Sequence, residues 1–277
     1  MADPITLDPE FEKIRQKYYQ TDSILFEIVK NLVHRETAFI RQPIENEKGV
    51  AIRCIKANAL VYLSKNFERF RFLQTPCNLY SSLAKYPDMP MFSFNMKTRG
   101  EQRERFNQDA ISLMTEFDFL IDIDNTDLKI AYAHTAKVKK IFDEYKVPYT
   151  CIYSGNKGWH LRVYYKDFPK WMKDLPKPEL IDLLKRLGEN IRFIHNITSL
   201  DIGIFDSRRI AKVPYSIVYP YYLVALPLSD EQFNNFNIKM VSPVYWLDHA
   251  QEIYKRGNLK REGTPEGFDN LVWDYTR

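Results

Sequence analysis

An apolar run interrupted by aspartates, Phe-Asp-Phe-Leu-Ile-Asp-Ile-Asp at 117–124, most limits how this chain can fold. In a strand, side chains two apart project from one face. Asp122 and Asp124 therefore stand side by side, while Phe119, Ile121 and Ile123 point the other way. Apolar residues on both faces predict a largely buried strand, where unpaired carboxylates are costly. Two carboxylates this close repel unless positive charge lies between them, and a pair of divalent cations accounts for the arrangement. The competing reading is a surface strand with an acidic outer face, to which Asp118, on the same parity, would belong.

The chain has 277 residues, 45% of them hydrophobic, which fits one large domain or two interlocked modules with a substantial core. Its net charge is +4, a weak sign of nucleic acid when taken over the whole chain. The charge is clustered, however: Arg53, Lys56, Lys65, Arg69 and Arg71 form one basic stretch, and Arg208, Arg209 and Lys212 another. The first could equally be a solvated face. Cys54, Cys77 and Cys151 are scattered without a Cys-x-x-Cys pair, which argues against a disulfide framework or a four-cysteine zinc site and fits a reducing compartment. No apolar run approaches the roughly 18 residues of a membrane span, and no secretory signal opens the chain. A cytoplasmic or nucleoid-associated, intracellular protein is expected. Residues 1–10 are set aside as an expression remnant or disordered start, leaving 11–277 as a single catalytic domain of two modules.

Periodicity predicts helices at 8–20 and 22–34, the second capped by Asp22 or Ser23. A strand is expected near 50–56, a helix at 58–70, a strand at 78–86, a break at Pro87–Pro90 and a helix at 102–114. After the acidic strand come a helix at 128–145, strands at 149–153 and 159–165, and a helix at 178–195. Strands at 199–205 and 221–226, a helix at 229–236 and a tail complete the chain. Helices and strands mingle without a dividing linker, an α/β (α+β) pattern.

Two further constellations carry chemistry. In Tyr-Ser-Gly-Asn-Lys-Gly-Trp-His-Leu-Arg-Val (153–163) two glycines frame a tight hairpin, a turn that can expose several N–H groups to an anion. Ser154 enters this turn and His160 leaves it, so the hydroxyl, Lys157, the imidazole and backbone donors can converge on a triphosphate. The plain alternative is a hairpin with a stray histidine. In the segment 199–216, Asp201 on an apolar strand is a candidate third metal ligand, and Arg209 and Lys212 are placed to hold phosphate oxygens. Asp206 reads as a partner for a nearby arginine.

The Asp-x-Asp-x-Thr run ending at Thr126, followed by an apolar strand ending in Ser154, is similar to haloacid-dehalogenase-type phosphatases, with Asp122 as the phosphoryl acceptor. More of the chain resembles the archaeo-eukaryotic primase superfamily, the catalytic primase subunits and primase-polymerases. Its three motifs occur in order: Asp122/Asp124, then Ser154 to His160 as Ser-Gly-x-x-Gly-x-His, then Asp201 through Arg209 and Lys212 to Pro214 and Ser216. Fainter echoes at Arg35-Glu-Thr-Ala-Phe39 and Tyr80-Ser-Ser-Leu-Ala-Lys-Tyr86 extend the resemblance over about 35–216. The three cysteines cannot build the zinc insertion that replicative subunits often carry. That favours a compact polymerase core, such as a mobile-element primase-polymerase, a repair enzyme or a CRISPR-linked fusion.

The resemblance implies two packed α/β modules, one with an RNA-recognition-like sheet, and an active site in the cleft between them. It implies that Asp122, Asp124 and Asp201 hold two Mg²⁺ or Mn²⁺ ions, with Ser154, Lys157, His160, Arg209 and Lys212 on the nucleotide; no zinc site is expected. It further implies a DNA primase or primase-polymerase acting on NTPs or dNTPs, with a single-stranded DNA template and a primer strand as partners. A larger primase subunit or fused accessory domain is a further possible partner. The alternatives are a gap-filling repair polymerase of the same superfamily and the phosphatase.

Overall fold

The computed structural model describes residues 8–41, 51–54, 77–86, 108–256 and 259–277. Its strands are β1 (Thr37–Arg41), β2 (Ala51–Cys54), β3 (Cys77–Ser82), β4 (Ala84–Lys85), β5 (Glu116–Phe117) and β6 (Phe119–Asp124). They continue with β7 (Thr150–Tyr153), β8 (Gly158–Val163), β9 (Ile210–Lys212), β10 (Ile217–Val218), β11 (Leu223–Val224) and β12 (Leu226–Leu228). Two four-stranded antiparallel sheets organise the fold, in orders β2-β1-β3-β9 and β12-β7-β8-β6.

The second sheet has a split β-α-β unit at its heart. β6 and β7 are both antiparallel to β8, which lies between them, and the helix Leu128–Glu144 carries the chain from one to the other. That helix packs on β8 and β6 through one apolar stripe, Ala131, Val138, Ile141 and Phe142. Behind β6, Phe119, Ile121 and Ile123 are fully buried, and Phe119 packs against the rings of Phe142, Phe205 and Phe268. The parity expected for the acidic strand is therefore the one observed. β12 extends the sheet beyond β7. At the other edge, Ile123 and Leu200 form a single antiparallel bridge.

Several sequence expectations need correction. The first helix starts at Pro9 with Asp8 capping it, so residues 8–10 belong to the fold. The second ends at Lys30 rather than 34, and its N-cap is Thr21. β1 falls where no strand was expected. The stretch 199–205 is not a strand: beyond the Leu200 bridge it coils into a 3-10 turn at Ile202–Ile204, with Asp201 as its cap. The tail carries helices at Pro243–Asp248, Ala250–Arg256 and Pro265–Thr276. The last buries Phe268, Leu271 and Val272 and packs on the helix Lys177–Ile194. The helix expected at 58–70 and the Pro87–Pro90 break lie outside the described residues. Of the helix expected at 102–114, residues 108–113 are described and helical.

Asp118, the residue that spoke for an acidic surface, is instead buried between the modules. Its Oδ2 accepts from Arg35 Nη2 at 2.6 Å and from Arg162 Nε at 2.9 Å, and its Oδ1 accepts from the Tyr165 amide at 2.9 Å. Arg35 also donates to the carbonyls of Ser82 and Leu83, at 2.9 and 2.7 Å. Burial would push the Asp118 carboxyl up, but the two guanidiniums outweigh it and hold the carboxyl below its usual range. A depressed carboxylate stabilises the fold at neutral pH, and that stabilisation is lost as pH falls through the folded-state value. Asp118→Asn should cost about 3–5 kcal/mol in urea unfolding at pH 7, because it strands two buried arginines. It should also flatten the loss of stability below about pH 4; an unchanged midpoint and acid slope would show that the network is dispensable.

Candidate functional site

The site forms where the carboxylate face of β6 meets β9 and β3 of the other sheet. β6 pairs with β8 so that Asp122 lies opposite His160 and Asp124 opposite Gly158. His160 Nε2 is 3.4 Å from Asp122 Oδ1, and only 14% of the Asp122 side chain is exposed. Gly158 is demanded by this pairing: a Cβ there would stand 1.7 Å from the Ile123 carbonyl oxygen and 3.0 Å from Asp124 Oδ1. Gly155 serves the turn instead, with φ +80°. Between the glycines, the N–H groups of Gly155, Asn156 and Lys157 meet no protein acceptor among the described residues. That is the open donor cluster expected of an anion-binding turn. Lys157 is exposed at its tip.

Asp201 reaches the site from the other edge of β6. Its amide donates to the Asp122 carbonyl at 2.9 Å, and the Asp124 amide donates to the Ser199 carbonyl at 3.0 Å. Its side chain caps the following turn through the Gly203 amide at 2.8 Å and meets Arg209 Nη2 at 2.7 Å. The same guanidinium stands 4.0 Å from Asp122 Oδ2. Lys212, on β9 opposite Tyr80 of β3, completes the basic side.

The charges at the site act on one another. Burial opposes ionisation of Asp122, but His160, Arg209 and Lys212 together pull its carboxyl below the usual range. Asp124 goes the other way, pushed up by burial and by the charge of Asp122. Lys212 is lowered to about 8 by burial, against the pull of Asp124 and Asp122. The positive charge that the Asp-x-Asp pair requires is thus partly supplied by side chains from β8 and the 209–212 segment, while Asp124 remains under-compensated.

At this site Ser154 Oγ and His160 Nδ1 are enclosed with no hydrogen-bond partner among the described residues, and Asp122 Oδ1 has only the His160 ring, at 3.4 Å. Buried polar atoms are normally satisfied, so these suit a polar ligand. Asp122 and Asp124 offer the oxygen donors that Mg²⁺ or Mn²⁺ takes. Among the described residues no three His, Cys, Asp or Glu side chains are grouped as a metal site, and Asp201 is paired with Arg209. The oxygens of Asp122 and Asp124 fit a divalent ion, with Asp201 close by but held by Arg209.

All eight expected site residues lie in this region, on two sheets and three connections. The basic stretch fares differently. Lys56, Lys65, Arg69 and Arg71 lie outside the described residues, and of Arg53 only the backbone is described. Among the described residues Asp206 pairs with no arginine side chain; its Oδ1 accepts the Arg208 amide at 2.9 Å, while Arg208 reaches the buried Glu36 at 3.1 Å. Ser216 Oγ donates to the Val213 carbonyl at 2.7 Å and is structural. Two residues escaped sequence reasoning. Tyr80, which opens one of the fainter motif echoes but was given no role, has its phenol pushed up by burial and by Asp122 and Asp124. Asn125 links the pieces of the site: its amide donates to the Lys157 carbonyl at 3.2 Å and its Nδ2 to Ser199 Oγ at 2.9 Å. The Asp-Asn-Thr-Asp turn before a helix was the signal: Asn125 Oδ1 accepts the Asp127 amide at 2.9 Å in an Asx turn, and Asp127 caps the helix.

No protein-family model matches the chain, and no curated protein matches it by sequence. Solved structures do. The polymerase domain of Mycobacterium tuberculosis ligase D, in complex with DNA, superposes with a TM-score of 0.58 at 13% identity over 96% of this chain and 93% of that one. The catalytic domain of primase RepB′ in complex with initiator DNA gives a TM-score of 0.42 at 12% identity, over 85% and 97% of the two chains. The primase-polymerase domain of cyanophage S-2L gives 0.39 at 12% identity, over 82% and 96%. At such identities the likeness is one of architecture: the chain has the mixed α/β fold of the ligase D polymerase domain.

Proposed function

We propose that this chain is a template-directed nucleotidyltransferase, a DNA primase or primase-polymerase. The observation that carries the reading is the pair of enclosed polar atoms Ser154 Oγ and His160 Nδ1, without a hydrogen-bond partner among the described residues, on the β7–β8 hairpin beside Asp122, Arg209 and Lys212. A donor-lined turn next to carboxylates suits a triphosphate whose α-phosphorus must lie near metal ligands. The polymerase-domain fold supports the same reading.

In this proposal Ser154, Lys157, His160 and the open N–H groups of the turn hold the triphosphate, and Arg209 and Lys212 neutralise it. Asp122, Asp124 and Asp201 are the oxygen ligands for two Mg²⁺ or Mn²⁺ ions, which when bound supply Lewis acidity at the 3′-hydroxyl and the α-phosphate. The antiparallel pairing of β6 with β8 keeps carboxylates and phosphate donors on one rigid surface, which favours in-line geometry. Partners are a single-stranded DNA template, a primer strand and NTPs or dNTPs; a larger primase subunit or fused domain belongs to the same proposal. Among the described residues no helix is long and apolar enough to cross a membrane. The phosphatase reading, with Asp122 as nucleophile, has no structural observation in its favour.

The test is incorporation of labelled nucleotide on a single-stranded template with Mg²⁺ or Mn²⁺, with and without primer. Products made without primer establish priming; extension of a primer alone establishes a gap-filling or repair polymerase. No product, with phosphate released from small esters, would overturn the proposal in favour of the phosphatase. Asp122→Asn and Asp124→Asn should each lower kcat by about 10³-fold or more while the fold survives. A variant retaining most of its turnover would remove that carboxylate from the metal site. His160→Ala should raise KM for the nucleotide about 10- to 100-fold, the cost of a lost charge-assisted hydrogen bond, with template affinity little changed. Equal losses in nucleotide and template binding would make His160 structural instead.

A further inference from the structure

We propose that Arg209 is a built-in stand-in for a cation. It occupies Asp201 in the ligand-free protein and yields it when a triphosphate engages the guanidinium, so nucleotide binding and completion of the metal site are coupled. This rests on the nucleotidyltransferase reading of the same site.

The geometry argues for the exchange. The backbones of Asp201 and Asp122 are fixed side by side by the 2.9 Å hydrogen bond from the Asp201 amide, which does not depend on Arg209. One oxygen of Asp201 is already committed to the Gly203 amide at 2.8 Å, and the other lies 2.7 Å from Arg209 Nη2. Each oxygen of Asp201 therefore already carries a protein donor, and the guanidinium puts a like charge where a cation would approach the second one. The guanidinium also stands 4.0 Å from Asp122 Oδ2, placing its positive charge between the two carboxylates.

The backbone of Arg209 is anchored while its side chain is part-exposed. Its amide is anchored to the Asp206 carbonyl at 2.9 Å, and the next residue opens β9. Arg209 is 35% and Asp201 42% exposed, so the pair is solvent-screened and weak. A triphosphate offers the same planar fork a more highly charged, bidentate partner. Because coupling is reciprocal, whatever draws Arg209 away strengthens cation binding at Asp201, and the reverse.

Mn²⁺ binding to the full chain, read without nucleotide by the electron paramagnetic resonance of the free ion, tests this. Arg209→Gln should tighten Mn²⁺ binding about tenfold over the wild type. The same change made in an Asp201→Asn background should give no such gain. A gain of equal size in both backgrounds would reduce Arg209 to long-range charge, and no gain in either would show that it does not occupy the site; both overturn the proposal. The reciprocal arm uses α,β-methylene-dATP in EDTA. Asp201→Asn should tighten its binding several-fold, and that gain should disappear in Arg209→Gln. Should Asp122→Asn leave Mn²⁺ binding at the wild-type level, the metal assignment beneath the proposal fails, a result distinct from failure of the exchange.

Discussion

Asp118 holds the two modules in register. Its carboxylate takes Arg35 from the segment ahead of β1 and Arg162 from β8, while Arg35 also binds carbonyls at the end of β3. Each of those groups would be expensive to bury alone. Buried together, they oblige the start of β6, the β8 strand and the first sheet to meet at one point. The carboxylate face of β6 is thereby aimed at β9, and every contact between Asp122 and the basic side follows from that placement. Glu36 and Arg208 make a second buried cross-link from the neighbouring residue, so the connection into β9 is tied down as well.

The strand that carries the carboxylates is held on both edges, which gives the site its precision. β8 brings His160 and the donor-lined turn to one side; the Leu200 bridge brings Asp201 to the other. Asn125 fastens both, through Lys157 and Ser199. Like charges two residues apart then split their behaviour: Asp122, surrounded by cationic side chains, ionises readily, whereas Asp124, facing its neighbour's charge from a more open position, resists. A site balanced in this way accepts added positive charge easily, since Asp124 is the group least compensated by the protein's own side chains.

Much of this was legible from residues alone. Alternation on β6 told which side chains share a face, because strand parity is a property of the backbone. The two glycines of 155–158 announced a hairpin, and the eight candidate residues of the three motifs lie around β6 and β9. What misled was local reasoning about residues whose partners lie far along the chain. Asp118 has the parity of the acidic face, yet its arginines come from 83 and 44 residues away. Asp201 sits in an apolar stretch that reads as a strand, but only one residue of it bridges β6 before the chain turns.

The sequence by itself determined the local alphabet of the protein: which carboxylates stand together, where the two-glycine turn lies and which helix faces are apolar, because these depend on periodicity and turn chemistry within a few residues. Only the tertiary structure decided what those carboxylates face. The pairing of Arg209 with Asp201 rather than with Asp206, the burial of Asp118, and the approach of Tyr80 and Lys212 to the acidic pair all depend on how two sheets dock. Docking is set by the summed burial and charge pairing of distant segments, which no local pattern encodes.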